Sequence, residues 1–479
     1  MCLLQLEELN IKHDYLRINI LVNLVENLAL LLNMNIQSKV QHIQNEIVDQ
    51  YLYDENDDRP WIIGFSGGKD STALLQLVWN AIRSIPQELR KRDVYVVCNN
   101  TLVENPIIDE YVSSILKKIE VASREQSLPI FVKKTIPRLE DSFWVNLIGK
   151  GYPAPNNMFR WCTERLKIKP TSRYLLETVS TKGEAIILLG SRSAESSERA
   201  KSIKKHEKKG KRLSNHQKIK DTFLYSPIKH LATEEVWWYI NTQPSPWDSD
   251  NSELFKIYSD ASADDYECPT VVTNNNHTSC GQSRFGCWVC TVVKEDKSMT
   301  ALIKNGLDWL KPLLDLRNSI VEERNKEENR TKFRRNGSED SWGPYLPLYR
   351  SKLLEQVLLT QKIIQESKPH LELISNQELI AIQVIWNRDS IFNYKVSEIY
   401  NKVFKRNLEM KSAEKLEQEK ALLKDTCKSN PGHFELIHLI KIPELSSTTL
   451  LLHKGHFSGS LTFFSSPFLI EVRTFNTLG

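Results

Sequence analysis

The sequence predicts an α/β fold built on a parallel sheet with helices on both faces. Trp61 to Phe65 is a short, mostly apolar run that leads into Ser66-Gly67-Gly68, the pattern of a fully buried strand turning sharply toward a helix. Three more apolar runs follow at Val94 to Cys98, Ile130 to Val132 and Ala185 to Leu189. Helical stretches separate them, among them Asp109 to Arg124 and Pro170 to Ser180. Strands alternating with helices argue for a parallel sheet, whose ligands sit beyond the carboxyl ends of the strands.

The remaining elements follow in order. From Glu8 to about Tyr53 the pattern is helical and ends in the polar stretch Asp54 to Arg59. A lysine-rich segment, Lys201 to Lys220, interrupts the α/β region. From about Pro244 the chain turns irregular, rich in Asp, Ser and Asn, and carries clustered cysteines. Helical periodicity returns from Leu302 to Arg317, and beyond Leu346 at Tyr349 to Glu366, Asn376 to Asn387 and Ala413 to Asp425. The expected division is a helical region over 1–53, the α/β domain over 54–243, a cysteine-rich region over 244–345 and a helical region over 346–479. No internal repeat is present.

With 479 residues there is chain for about three domains, and 40% apolar with 26% charged residues is the balance of a soluble globular protein. A net charge of +4 is too nearly balanced to say anything about nucleic acid. The apolar stretch from Ile18 to Leu32 is interrupted by Asn23, Glu26 and Asn27, so no charge-free run reaches membrane-spanning length. With no cleavage-site pattern either, the expected compartment is the cytoplasm, without membrane partners. Eight cysteines in a chain of this size suggest metal binding or chemistry rather than a disulfide scaffold.

The glycine turn is the first candidate site. Gly67 and Gly68 let the backbone bend tightly and approach a ligand. Asp70, Ser71 and Thr72 are N-cap candidates for a helix carrying Leu74, Leu75, Val78, Ala81 and Ile82 at helical spacing. Free N–H groups and the positive end of a helix dipole then face one point, as in phosphate sites. A Walker A loop does not fit, because Asp70 rather than Ser or Thr follows Lys69, and G-x-G-x-x-G spacing is absent. A second candidate site follows Leu189, where Arg192 and Arg199 leave a strand end and suit anionic oxygens.

Cysteines supply the third. Cys287-Trp-Val-Cys290 has the spacing that puts two sulfurs on one metal, and Cys268 and Cys280 lie shortly upstream in polar surroundings. Four thiolates suit zinc or an iron–sulfur cluster, and spacing does not separate the two. Cys162 sits between Arg160 and Arg165, cations that would lower its pKa and favour a nucleophilic thiolate. Cys98 ends a buried strand and reads as structural, as do Cys2 and Cys427. Lys204, Lys205, Lys208, Lys209, Lys211 and Arg212 either contact DNA phosphates or form a solvated loop.

Ser66-Gly-Gly-x-Asp70-Ser71, Gly190-x-Arg192-x-x-Glu195-Ser196-x-x-Arg199 and the downstream cysteines together resemble the PP-loop ATP pyrophosphatases of the phosphoadenylyl-sulfate reductase-like superfamily. Asp58-Arg-Pro-Trp61, the stretch from Phe143 to Pro155, Phe159-Arg-Trp-Cys-Thr-Glu-Arg165 and Gly286-Cys-Trp-Val-Cys290 resemble the DndC family, sulfurtransferases of bacterial DNA phosphorothioation. Lys297-Ser-Met299 and Gly343-Pro-Tyr345 fit the same resemblance, which covers roughly Asp58 to Lys368.

That resemblance implies a Rossmann-like sheet of the adenine nucleotide alpha hydrolase-like type. It also implies a [4Fe–4S] cluster on Cys268, Cys280, Cys287 and Cys290, with zinc as the alternative. Ser66, Gly67, Gly68, Lys69, Asp70 and Ser71 would hold the pyrophosphate of ATP with Mg²⁺, and Lys69, Asp70 and Cys162 would serve catalysis. DNA is the implied substrate, a cysteine desulfurase the sulfur donor, and other subunits of a phosphorothioation complex the partners. Rival readings are an adenylyl-sulfate or phosphoadenylyl-sulfate reductase, a tRNA thiolation enzyme, and a non-catalytic redox-sensing subunit.

Overall fold

The computed structural model describes residues 34–54, 59–195, 197–206, 211–216, 218–260, 286–333, 342–391, 393–407, 461–465 and 468–472. They fall into two compact units. One comprises Met1–Pro137 and Arg160–Leu310, the other Arg138–Phe159 and Lys311–Gly479.

The first unit carries the expected parallel sheet. Helix α1 (34–52) precedes β1 (Trp61–Gly64), whose first three residues are buried. Then come α2 (Lys69–Ser84), β2 (Val94–Asn99), α3 (Pro106–Glu125), β3 (Ile130–Thr135), α4 (Lys169–Lys182) and β4 (Ala185–Leu188). Next are α5 (Ser197–His206), the two-residue β5 (Ser214–Asn215), β6 (Thr222–Tyr225), α6 (Thr233–Thr242), α7 (Asn251–Asp260) and α8 (Lys297–Lys304). The sheet order is β3-β2-β1-β4-β6-β5. All neighbours are parallel except β5, which runs antiparallel to β6 at the edge. β1 is therefore central, with Trp61 opposite Val94 on one side and Ile186 on the other.

Helix α2 is buried nearly all round, which an amphipathic surface helix is not. Leu74, Leu75, Leu77, Val78 and Trp79 are all fully buried. Trp79 meets Trp247 edge-on at 5.7 Å and donates to Gln126 at 2.9 Å, so its one polar atom is satisfied. This double-sided packing fixes the first turn of α2 rigidly at the end of β1.

Several sequence expectations need correcting. The N-cap of α2 is Gly68 in an extended conformation, with no side-chain cap, and Asp70, Ser71 and Thr72 lie inside the first turn. The strand β6 and the helices α6 and α7 were missed. β6 is only four residues long and shows no alternation, and the polar stretch after Pro244 hides the apolar face of α7 formed by Leu254 and Ile257. The single helix expected over Leu302 to Arg317 is two helices, because Gly306 adopts a φ of +96° and ends α8. Part of the lysine-rich segment is ordered as α5 and β5 rather than loop.

The second unit is helical. α10 (Pro347–Ser367) and α11 (Asn376–Arg388) pack on a π-helical turn at Val145–Gly149, and α9 (Lys311–Glu323) and α12 (Val396–Phe404) pack against α10. Trp386 and Arg350 both donate to the carbonyl of Ile148, at 3.0 and 2.7 Å, and Trp144 donates to that of Leu373 at 2.6 Å. The Tyr345 hydroxyl accepts from the amide of Ala154 at 3.0 Å. The sequence stretches Phe143 to Pro155 and Gly343 to Tyr345 thus have a structural job in this unit. Two further strands, β7 (Leu461–Ser465) and β8 (Phe468–Val472), form an antiparallel hairpin. The helix expected at Ala413 to Asp425 lies outside the described residues. No helix among the described residues is long and apolar enough to cross a membrane.

Candidate active site

The loop after β1 folds around its own hydroxyls. The Ser66 and Ser71 oxygens are 3.2 Å apart, and Ser71 donates to the Gly68 carbonyl at 2.9 Å. Gly67 has φ +73°, and a Cβ there would stand 2.3 Å from Cγ2 of Val112 on α3. Glycine is required on both counts. A Cβ on Gly68 would come within 3.1 Å of the Tyr258 hydroxyl, which accepts from the amide of Lys69 at 3.3 Å. Tyr258, on α7, therefore holds an amide that a phosphate would otherwise take. Burial pushes its phenol up to about 12, so it stays neutral.

Arg192 and Asp70 lock this loop to the end of β4. The Arg192 Nε donates to Asp70 at 2.6 Å, and its Nη1 donates to both the Leu231 carbonyl at 3.1 Å and the Thr233 hydroxyl at 3.3 Å. Arg192 is 1% exposed. Such a charge is held in place by three acceptors and is not a mobile anion hook. A Cβ on Gly190 would come within 3.1 Å of the Asp70 carbonyl, so the two strand-end turns pack backbone to backbone. Lys69 pairs with Asp70 at 3.3 Å and lies over the Tyr258 ring. Arg199 falls on α5, and its side chain is outside the described set.

Beside the loop, at the carboxyl ends of β1, β2 and β4, lies a cavity of about 310 Å³. Ser66, Asn99, Asn100, Asp109, Glu104 and Lys167 supply its polar wall, and Ile62, Val97, Leu175 and Ile187 its apolar wall. No sequence motif marks Asn99, Asn100, Asp109, Glu104 or Lys167 as site residues. The signal available was position, since Asn99 and Asn100 end an apolar strand where α/β sheets bind ligands. Cys98 also lines this cavity, with burial raising its thiol to about 11.

Cys287 adjoins Glu104, one residue of that wall. Glu104 pairs with Cys287 as an isolated antiparallel bridge, and the amide of Trp288 donates to the Val103 carbonyl at 3.0 Å. Thr101 donates to Glu104 at 2.8 Å and touches the Cys287 sulfur at 3.3 Å. Cys290 closes a turn back onto the Cys287 carbonyl at 3.0 Å. Burial pushes the Cys287 thiol up to about 12, with the Glu104 carboxylate adding to the shift. The Lys167 amine is the cation beside this group. Burial lowers its pKa, but the charges of Cys287, Glu104, Cys162 and Cys290 outweigh that and raise it.

Cys162 corrects an expectation. It stands at the start of a helical run over 161–182 that opens with π-helical turns at Thr163–Ile168. Its pKa is raised, by burial first and by Cys290 second, and not lowered by Arg160 and Arg165. Desolvation outweighs the flanking cations, so the resting group is a thiol.

The expected ligands divide in two. Cys287 and Cys290 are placed together, whereas Cys268 and Cys280 lie outside the described residues. Among the described residues no three His, Cys, Asp or Glu side chains stand close enough to hold a metal ion. The placed half fits a thiophilic centre, since half-buried sulfurs beside a lysine are soft donors with charge compensation at hand. Of the lysine-rich residues, Lys204, Lys205 and Lys211 are exposed, and Lys208 and Lys209 are outside the described residues. Arg212 is engaged, 3.4 Å from Asp49 and 3.9 Å from Glu46.

Residues 60–293 match the family model of the phosphoadenosine phosphosulfate reductase domain. An uncharacterized protein of Methanocaldococcus jannaschii is 27% identical over 189 residues, which cover 40% of this chain and 33% of the relative. The chain thus spans about a third of the length of that curated relative.

Three solved structures are similar. FMN adenylyltransferase of Candida glabrata has a TM-score of 0.27 at 13% identity, over 46% of this chain and 60% of that one. Phosphoadenylyl-sulfate reductase of Candida auris, in a phosphate complex, has a TM-score of 0.26 at 11% identity, over 42% and 83%. The U34-tRNA thiolase of Methanococcus maripaludis, with its [4Fe–4S] cluster, has a TM-score of 0.25 at 13% identity, over 61% and 82%.

Proposed function

We propose that this chain, whose residues 60–293 match the family model of the phosphoadenosine phosphosulfate reductase domain, is a sulfurtransferase that cleaves ATP to AMP and pyrophosphate and places sulfur on the DNA backbone. The observation that carries the proposal is the shared wall. Lys167 and Glu104 line the cavity beside the Ser66–Ser71 loop and also adjoin Cys287. A nucleotide in that cavity would have its phosphates on the loop and its reacting end facing sulfur.

In this reading the amides of Gly67, Gly68, Asp70 and Ser71 and the Ser66 and Ser71 hydroxyls hold the β,γ-pyrophosphate, aided by Mg²⁺. Lys69 and Asp70 orient it, and Arg192 keeps Asp70 in place. A non-bridging oxygen of the DNA phosphodiester attacks the α-phosphorus, and pyrophosphate departs. Persulfide sulfur on Cys162, supplied by a cysteine desulfurase, then attacks the activated DNA phosphorus. AMP departs with the former oxygen. A thiol cleaves the remaining sulfur–sulfur bond, leaving phosphorothioate and a disulfide that an external dithiol resets. Lys167 stands beside these sulfurs, where its ammonium offsets the negative charge that develops on them during transfer. Cys287 and Cys290, with Cys268 and Cys280, would hold an iron–sulfur cluster, which supplies a soft centre for sulfur or electrons.

The test combines the full chain, ATP, Mg²⁺, DNA and a cysteine desulfurase, with pyrophosphate and phosphorothioate dinucleotides as readouts. Both should form, and Cys162→Ala should abolish the phosphorothioate while leaving pyrophosphate release, DNA binding and folding intact; phosphorothioate formed by Cys162→Ala would rule out the nucleophile role. A second reading, reduction of a sulfonucleotide, is favoured by the family match itself. Sulfite release from phosphoadenylyl sulfate with a dithiol as the two-electron reductant, without need of DNA or ATP, would establish it instead.

A further inference from the structure

The wall of the cavity beside the loop is rich in acceptors and poor in donors. Asn99 donates its amide to the Leu166 carbonyl at 2.9 Å, and Asn100 donates its own to Asp109 at 3.2 Å. Thr171 donates to the Lys167 carbonyl at 2.9 Å, and the Ser66 hydroxyl is paired with that of Ser71. Lys167 is the one amine on this wall, and it faces the charges of Glu104 and the neighbouring sulfurs. Glu104 accepts from Thr101 through one oxygen, and Asp109 accepts from Asn100 through one. The second oxygen of each carboxylate has no hydrogen bond among the described residues.

Asp109 is held where a sugar would lie. It stands in the first turn of α3, behind the N-cap Asn105, whose side chain accepts from the Ile107 amide at 3.0 Å. Val112, on the same helix, is the side chain that meets the loop at Gly67. Helix residues three apart share a face, about 5–6 Å from one another. The carboxylate is thus one helical turn from the phosphate loop, a span that one ribose bridges. Burial raises the Cys98 thiol first, and Glu104 and Asp109 both add to the rise against Lys134, so the two carboxylates face one stretch of wall. A volume of about 310 Å³ is at the small end of ligand sites and suits a nucleoside whose outer phosphates lie on the loop.

A carboxylate placed beyond a strand end accepts from ribose hydroxyls and repels a phosphate ester in their place, whereas an arginine there does the reverse. Asp109 also suits the positive end of the α3 dipole, but that role is blind to the sugar of a nucleotide.

We propose that Asp109 is the specificity-determining residue of this site, accepting from the ribose hydroxyls of ATP and excluding nucleotides that carry phosphate on the 3′-oxygen. The inference rests on the ATP-cleaving reading given above. It sets the chain apart from an enzyme that takes phosphoadenylyl sulfate, whose 3′-oxygen bears a phosphate.

The experiment titrates the full chain, with Mg²⁺, against ATP, 2′,3′-dideoxy-ATP and ATP phosphorylated on its 3′-oxygen, with affinity read by calorimetry. The parent should bind ATP about 10- to 100-fold more tightly than the dideoxy nucleotide, the range for hydrogen bonds to a charged group. The 3′-phosphorylated nucleotide should bind more weakly still. In Asp109→Ala the preference for ATP over dideoxy-ATP should fall to within about threefold, since the acceptor is gone. Asp109→Asn keeps a partner for Asn100 and removes the charge, so the 3′-phosphorylated nucleotide should regain about tenfold or more. Glu110→Gln, exposed on the same turn, should leave all three affinities as in the parent. Circular dichroism should be the same for every variant.

Equal affinity of the parent for ATP and the dideoxy nucleotide would overturn the proposal, as would a 3′-phosphorylated nucleotide bound as tightly as ATP. Proportional weakening of ATP and dideoxy-ATP in Asp109→Ala, the result of a merely structural role, would overturn it too. A parent that binds none of the three would sink both this assignment and the ATP-cleaving reading. Ribose selection as expected, in a chain that forms no phosphorothioate, would retire the sulfur-transfer reading and leave this assignment standing. Phosphorothioate formed by a chain indifferent to the ribose would do the reverse.

Discussion

Gly67 makes the tightest demand of any single residue in the loop. Alanine there combines a φ of +73° with a Cβ 2.3 Å from Val112, so Gly67→Ala should destabilise the chain by about 1–3 kcal/mol. Denaturant unfolding checks it, and Val112→Ala in the same chain should restore part of the loss if the clash contributes. Asp70→Ala leaves the buried Arg192 without its counter-ion, a change that costs up to roughly 3–5 kcal/mol where burial is complete. Asp70 is partly exposed and Arg192 retains two other acceptors, so the lower end is expected. Asp70→Asn should keep most of the stability and still lower pyrophosphate release. Cys162 offers a pH test. A raised thiol pKa means less thiolate at any given pH, so iodoacetamide should modify Cys162 slowly at neutral pH and faster as the pH climbs past the ordinary thiol range. A rate that levels off below pH 8 would show the arginines winning over burial.

At the scale of elements, α2 is the hinge between sequence and site. Its apolar spacing was readable, and so was the strand before it, because buried parallel strands and glycine turns leave strong local marks. Leu74 is fully buried between sheet and helices, so Leu74→Ala should cost about 2–5 kcal/mol and lower pyrophosphate release by loosening the loop it anchors. Chemical denaturation and turnover measured together check this. The elements that escaped the sequence are those whose signal is tertiary. β6 is four residues with no alternation, and it exists because β4 offers it an edge from Ala185 to Leu188. The π-helical turns at Val145–Gly149 and Thr163–Ile168 have no sequence signature at all, and such turns favour functional or tightly packed places.

For the whole molecule, the loop and the cysteine pair were legible as separate motifs, but their sharing of one cavity wall was not. That meeting depends on Glu104 reaching Cys287 across more than 180 residues and on Lys167 facing inward, and neither follows from spacing. Electrostatics were misread for the same reason. Arg160 and Arg165 flank Cys162 in sequence, yet burial decides its pKa. The thiol set should also be testable as a unit. Anaerobic purification should give iron and sulfide that depend on Cys287 and Cys290, and Cys287→Ser should lose them; stoichiometric zinc would point to a closed structural site.

The most direct measurement is the product of ATP cleavage by the full chain with Mg²⁺, DNA and a cysteine desulfurase, followed by phosphorus NMR. AMP and intact pyrophosphate are the expected products, because the Ser66–Ser71 loop is placed to hold the β,γ pair as the α-phosphorus reacts. ADP with orthophosphate would contradict that role and the sulfur-transfer reading built on it.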